Sequence, residues 1–188
     1  MARVDPDRRK AAIVAAAFDL IARDGVEAAT MRRVAAAAEA TTGRVTHYFT
    51  TRVELLVTTL SEVDRRRTER LAIHVDLEPA ARLRATLLEL LPLDAPRLDE
   101  HRVWISLSTT GIPEVRDEIL RQTFERHGLV EVLIATTFGR TPNDAAVFEL
   151  LALVDGLAQR LMLDTTTKPR RTALQVLEGA LASAAVRA

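Results

Sequence analysis

Apolar residues recur along this chain at helical spacing, and the polar residues between them mark where each helix starts and stops. Ile13, Ala17, Leu20 and Ile21 fall at i, i+4, i+7 and i+8, one face of a helix. Asp5-Pro6-Asp7 opens that helix, because proline suits a first turn and acids suit the positive end of the helix dipole. Asp24-Gly25 closes it, which predicts a helix from about Asp7 to Arg23. Next come Val34, Ala35 and Ala38 on a narrow apolar face, behind Thr30 as an N-cap. Glu39-Ala40 breaks this second helix, and Thr41 caps a third from Thr42 to about Phe49. Val53, Leu56, Val57, Leu60 and Val63 stripe a fourth helix that starts at Thr50-Thr51 and ends near Ile73.

The remaining pattern is also helical. Glu78 to Leu91 carries Leu83, Leu87, Leu90 and Leu91 and stops at Pro92. Pro96 opens a helix over about Arg97 to Thr109, which Gly111-Ile112-Pro113 ends. Glu114 to Phe138 is a long helix with Gly128 near its middle as a weakening point. Thr141-Pro142 is read as the start of a helix to about Leu163, and Pro169 as the start of the last. These last two helices are apolar on more than one face, so a second copy is expected to cover them in a two-fold four-helix bundle.

Composition narrows the picture. The chain has 188 residues, few glycines and prolines, and enough apolar content for a sizeable core rich in alanine and leucine. It has no cysteine, which removes disulfides and thiolate metal sites. The net charge is zero, but residues 1–52 hold nine Lys/Arg against six Asp/Glu, and residues 53–188 hold seventeen against twenty. A mildly basic end beside a mildly acidic remainder is compatible with DNA binding at the first. The charged opening MARVDPDRRK lacks the apolar core of a signal peptide, and no apolar run is long enough to span a bilayer, so a cytoplasmic protein is expected. Dinucleotide, phosphate-loop, nucleophile-elbow and HExxH signatures are missing, and the four histidines are far apart, so neither an enzyme nor a bound cofactor or metal is expected.

The stretch from Ala28 to Phe49 carries the functional signal. Two short helices meet at a tight turn, and the second holds Thr42, Arg44, Thr46, His47 and Tyr48, all able to donate hydrogen bonds to phosphates or base edges. A helix-turn-helix reader of the major groove is built from such a pair. From Arg9 to Leu56 the residues Ile13, Ala17, Leu20, Ile21, Gly25, Thr30, Val34, Ala35, Ala38, Gly43, Val45, Tyr48, Phe49, Arg52, Glu54 and Leu55 resemble the N-terminal domain of the TetR family of transcriptional regulators. Glu39, Thr46 and Arg52 stand where that family usually has glycine, tyrosine and lysine. The segments VWISL (103–107) and FELLALVDGLAQRLML (148–163) are similar to the choline-responsive repressor branch.

The resemblance implies an all-α protein, with a three-helix DNA-binding domain over 1–52 and a helical effector-binding and dimerisation domain over 53–188. Its expected role is a homodimeric repressor, released by a small-molecule effector from a near-palindromic site on double-stranded DNA. Thr42, Gly43 and Thr46, with Arg32, are expected at base edges, and Arg44 at a guanine or a phosphate. Thr30, Thr41, His47, Tyr48 and Arg52 are expected at phosphates, with Arg33 on the same surface. Arg8, Arg9 and Lys10 are either a solvated helix end or, by the resemblance, a backbone contact. Arg65-Arg66-Arg67 reads as a solvated cluster or one paired with Glu62 and Glu69.

An effector pocket would draw on His101, Trp104 and Ser108 on one helix, Phe124 and His127 on the next, and Asp155 and Gln159 on the penultimate one. Trp104 and Phe124 serve equally as core residues, and Asp155 and Gln159 equally as polar groups in a dimer interface. One tryptophan is not the aromatic cage that a quaternary amine favours, so choline itself is not carried over. An activator, or a regulator without a ligand, is an alternative of the same class. A helical ligand-binding or scaffold dimer without DNA recognition is one alternative outside it, and an unrecognised enzyme is the other, less favoured because no paired acid, nucleophile or metal set appears.

Overall fold

A computed structural model of the chain describes residues 5–186, so the first four residues of the charged opening lie outside the described part. The described residues form nine α-helices and no strand. They are α1 Pro6–Asp24, α2 Met31–Ala37, α3 Thr42–Tyr48, α4 Arg52–Ala72, α5 Pro79–Glu89, α6 Ala95–Ser108, α7 Pro113–Thr137, α8 Ala145–Leu163 and α9 Thr167–Val186. A short 3₁₀ turn, Val26–Ala28, joins α1 to α2. The all-α expectation therefore holds.

Helix ends follow local chemistry. The Asp5 carboxylate accepts the Asp7 amide at 3.1 Å and caps α1 over Pro6. Thr51 and Glu54 start α4 together: the Thr51 hydroxyl accepts the Glu54 amide at 3.1 Å, and the Glu54 carboxylate accepts the Thr50 amide at 2.8 Å. Two expected starts move. Helix α8 begins at Ala145, because the Asp144 carboxylate caps the Ala146 amide at 2.8 Å; Thr141 and Pro142 sit in the preceding turn instead. Helix α9 begins at Thr167, which leaves Pro169 inside its first turn, where a missing N–H costs no helical bond. Gly128 does not interrupt α7, which is continuous through it.

Packing gathers the chain into two compact units, 1–66 with 99–121 and 67–98 with 122–188, and the divisions fall inside α4, α6 and α7. The core of the first unit takes Ile13, Ala17, Leu20 and Ile21 from α1, Val34 and Ala35 from α2, and Val45 from α3. Phe49, Leu55, Leu56, Leu60 and Val63 join it, with Val103, Leu107, Val115 and Ile119. Arg66 lies over the Phe18 ring at 4.1 Å, and Arg65 and Arg66 both bind Glu62, at 2.7 and 2.8 Å. The pairing reading of that basic cluster thus holds for these two residues. Hydrogen bonding by Arg65 works against burial and, with Arg66, holds the Glu62 carboxyl below its ordinary range.

The second unit is built on Leu83, Leu87, Leu90 and Leu91, with Val130 and Ile134 of α7, Leu150, Leu151 and Val154 of α8, and Leu177 of α9. Other apolar residues of these helices stay outside. Phe124 is 83 % exposed, Phe148 70 % and Leu163 83 %.

Candidate nucleic-acid interface

The candidate surface grows out of two threonine caps. The Thr30 hydroxyl accepts the Arg33 amide at 3.2 Å, and the Thr41 hydroxyl accepts the Arg44 amide at 3.2 Å, so α2 and α3 open in the same way. Both threonines are exposed, and a hydroxyl that accepts from an amide keeps its own proton for an outside acceptor.

Between the helices the chain turns on Glu39, whose φ of 51° is left-handed. The Glu39 amide donates to Ala36 at 3.2 Å and the Ala40 amide to Ala35 at 2.8 Å, the paired bonds of a Schellman stop. A residue with a Cβ accepts about 1–2 kcal/mol of strain in that conformation. The turn therefore has the geometry that glycine would supply, with a carboxylate in its place.

Helix α3 is held from one side only. Val45 and Phe49, one turn apart, are fully buried, and Lys10 stands over the Phe49 ring at 5.4 Å. Thr42, Gly43, Arg44, Thr46 and His47 are all exposed, and Tyr48 is half-buried with its ring edge-on to His47 at 5.2 Å. The Thr46 hydroxyl donates to the Gly43 carbonyl at 3.0 Å, which leaves its lone pairs outward. A Cβ built on Gly43 would meet nothing within 4 Å, so the protein itself does not require glycine there.

The cations fall into two sets. Arg32 and Arg44 are exposed and have no ion pair among the described residues. Arg33 binds Asp24 at 2.8 Å, and Arg23 reaches the same carboxylate at 3.1 Å. The Arg23 hydrogen bond, with a smaller contribution from Arg33, holds the Asp24 carboxyl below its ordinary range in spite of burial. Arg52 is turned inward: it donates to the carbonyls of Ala29 at 3.0 Å and Val26 at 2.6 Å and lies 3.5 Å from Glu27. Its guanidinium fastens the turn before α2, a use that its sequence position did not indicate.

The candidate effector residues are less unified. Trp104 packs against the core of the first unit, where His101 and Ser108 are half-buried, and Ser108 donates to the Ile105 carbonyl at 2.8 Å. In the second unit His127 lies 3.4 Å from Asp155, while Phe124 and Gln159 are exposed. Phe124 and Gln159 thus stand at the surface. The sequence reading gives Asp24 only as a helix stop and Glu54 only as part of the family resemblance, and assigns Ser106 no role. Glu54 was legible as the last residue of a Thr-x-x-Glu capping box; Ser106 was not, because its partner lies 80 residues away.

The sequence pattern of bacterial regulatory proteins of the tetR family matches residues 13–59, from the second half of α1 through α2 and α3 into α4. That stretch is similar to the DNA-binding region of the family. The chain is similar to the HTH-type transcriptional regulator PksA of Bacillus subtilis (strain 168), 28 % identical over 172 residues that cover 86 % of this chain and 82 % of that one. It also resembles the crystal structure of a transcriptional regulator from Rhodococcus sp. Rha1, with a TM-score of 0.80 at 26 % identity over 93 % of this chain and 94 % of that one. A Saccharomonospora viridis regulator crystallised with choline shares the fold, with a TM-score of 0.78 at 20 % identity over 92 % and 96 %. The match over 13–59, with the likeness to PksA and to the Rhodococcus regulator, supports a DNA-binding transcriptional regulator rather than an enzyme.

Proposed function

We propose that the protein is a homodimeric repressor whose α3 enters the major groove of a near-palindromic operator and which a small-molecule effector releases. The one-sided mounting of α3 carries this reading: Val45 and Phe49 are fully buried, while Thr42, Arg44, Thr46 and His47 are exposed. Arg32, Thr42, Gly43, Arg44 and Thr46 are assigned to base edges. Thr30, Thr41, His47 and Tyr48 are assigned to phosphates, with Arg33 and the exposed edge of Arg52 at the margin. Residues 1–52 form the DNA-binding domain in this scheme, and residues 53–188 the effector and dimer domain, in a cytoplasmic protein. Two recognition helices related by two-fold symmetry need half-sites about 34–36 Å apart, or a multiple of that.

Dimerisation is assigned to α8 and α9, whose exposed Phe148, Leu163 and Val176 favour a second copy as the cover. The C-terminal half is placed near the choline-responsive branch on the likeness of 103–107 and 148–163, but the effector is left as an apolar molecule with a few polar groups.

Selection of bound fragments from genomic DNA, followed by footprinting and sedimentation, tests the scheme. The expected result is an inverted repeat protected by a dimer. A monomer, or a chain that retains no fragment at low salt, overturns it. Effector release need couple the two sites by only about 1–3 kcal/mol to be effective.

A further inference from the structure

The turn that sets the entry to α2 is fastened from two sides. Gly25 leaves α1 at φ 83°, and the 3₁₀ turn Val26–Ala28 delivers the chain to Ala29 and the cap Thr30. Within the turn, Ala28 bonds to Gly25 at 3.1 Å and Ala29 to Val26 at 3.1 Å, while Ala28 and Ala29 are buried. These bonds leave the Val26 amide and the Ala29 carbonyl without a backbone partner in the turn. Arg52 takes the Ala29 carbonyl and shares the Val26 carbonyl. The Val26 amide donates to the Ser106 hydroxyl at 2.7 Å, a part-buried bond to the last turn of α6 across 80 residues of sequence. A Cβ on Gly25 would sit 3.8 Å from the same hydroxyl, so the two segments are in van der Waals contact there.

We infer that Ser106 is a positioning residue for DNA recognition: its hydroxyl fixes the Val26–Ala28 turn, and through it the angle at which α2 and α3 are presented. This rests on the DNA-reading role proposed above. Ser106 touches no DNA in this scheme. Its loss leaves a part-buried amide unpaired beside a turn whose other fastening, the Arg52 guanidinium, offers only donors and cannot accept from that amide. Local freedom then enters at Val26 and spreads to Thr30, the cap of α2.

The test compares wild type, Ser106→Ala and Ser106→Thr. Affinity and its salt dependence are measured on duplex recovered by wild-type protein from random-sequence DNA, and amide exchange is measured on the free protein. The expected result for Ser106→Ala is an affinity loss of about five- to tenfold with an unchanged salt slope, since no phosphate contact is removed. Exchange at Val26 to Thr30 should be faster, and Ser106→Thr should restore both. Wild-type affinity in Ser106→Ala, even with a lower melting temperature, overturns the assignment and leaves a purely structural bond. So does a reduced salt slope, or an equal loss in both variants. A wild type that recovers no duplex removes the DNA-reading role and this assignment with it, and is distinguished because it fails before any variant is compared.

Discussion

Helix α3 and the terminal pair α8–α9 are both amphipathic, yet they leave opposite chemistry uncovered. Helix α3 buries Val45 and exposes threonines, an arginine and a histidine. Helix α8 buries Leu150, Leu151 and Val154 and still exposes Phe148 and Leu163, and α9 exposes Val176. A helix that has satisfied its apolar residues and presents donors is suited to a polar, charged partner. A helix with large apolar side chains left over is suited to another apolar surface. The amphipathic pattern alone identifies a helix, and the residue types left outside indicate what it meets.

The comparison breaks most visibly if its two phenylalanines are interchangeable. Phe49→Ala empties a fully buried site and should cost roughly 3–5 kcal/mol in denaturant unfolding. Phe148→Asp should leave the unfolding of the isolated chain nearly unchanged and shift sedimentation toward the monomer. If Phe148→Asp remains dimeric, α8 is not the interface.

A smaller effect sharpens the contrast at α3. Gly43 has open space around it and lies inside a helix, so Gly43→Ala should raise stability by up to about 1 kcal/mol. The same change should weaken operator binding in gel shifts, because the restriction on side-chain size comes from the duplex. Unchanged binding would remove Gly43 from the base-edge set.

The smallest effect is in acid. Asp24 and Glu62 have folded-state carboxyls below their ordinary range, so their contribution is present above the unfolded value of about 4 and is lost as pH falls through the folded one. Asp24→Asn and Glu62→Gln should each flatten the fall in melting temperature below about pH 4.

Much of this was legible in the sequence, for a physical reason. Caps and apolar stripes act over a few residues, so Thr30, Thr41 and the buried face of α1 could be read directly. The start of α8 is ambiguous in sequence because Thr141-Pro142 and Asp144 are rival signals three residues apart, and the carboxylate of Asp144 takes the cap. The inward bonds of Arg52 and the reach of Ser106 depend on chain segments brought together only by folding. Helical spacing fixes a face of one helix but not what lies opposite it; Phe124 and Gln159 accordingly stand at the surface.

Glu39 has one more consequence. An exposed carboxylate in the turn beside the reading helix repels any phosphate chain, whatever its sequence. The molecule should therefore dwell briefly on arbitrary chromosome and move on, reserving long residence for the few addresses whose base edges offset that repulsion.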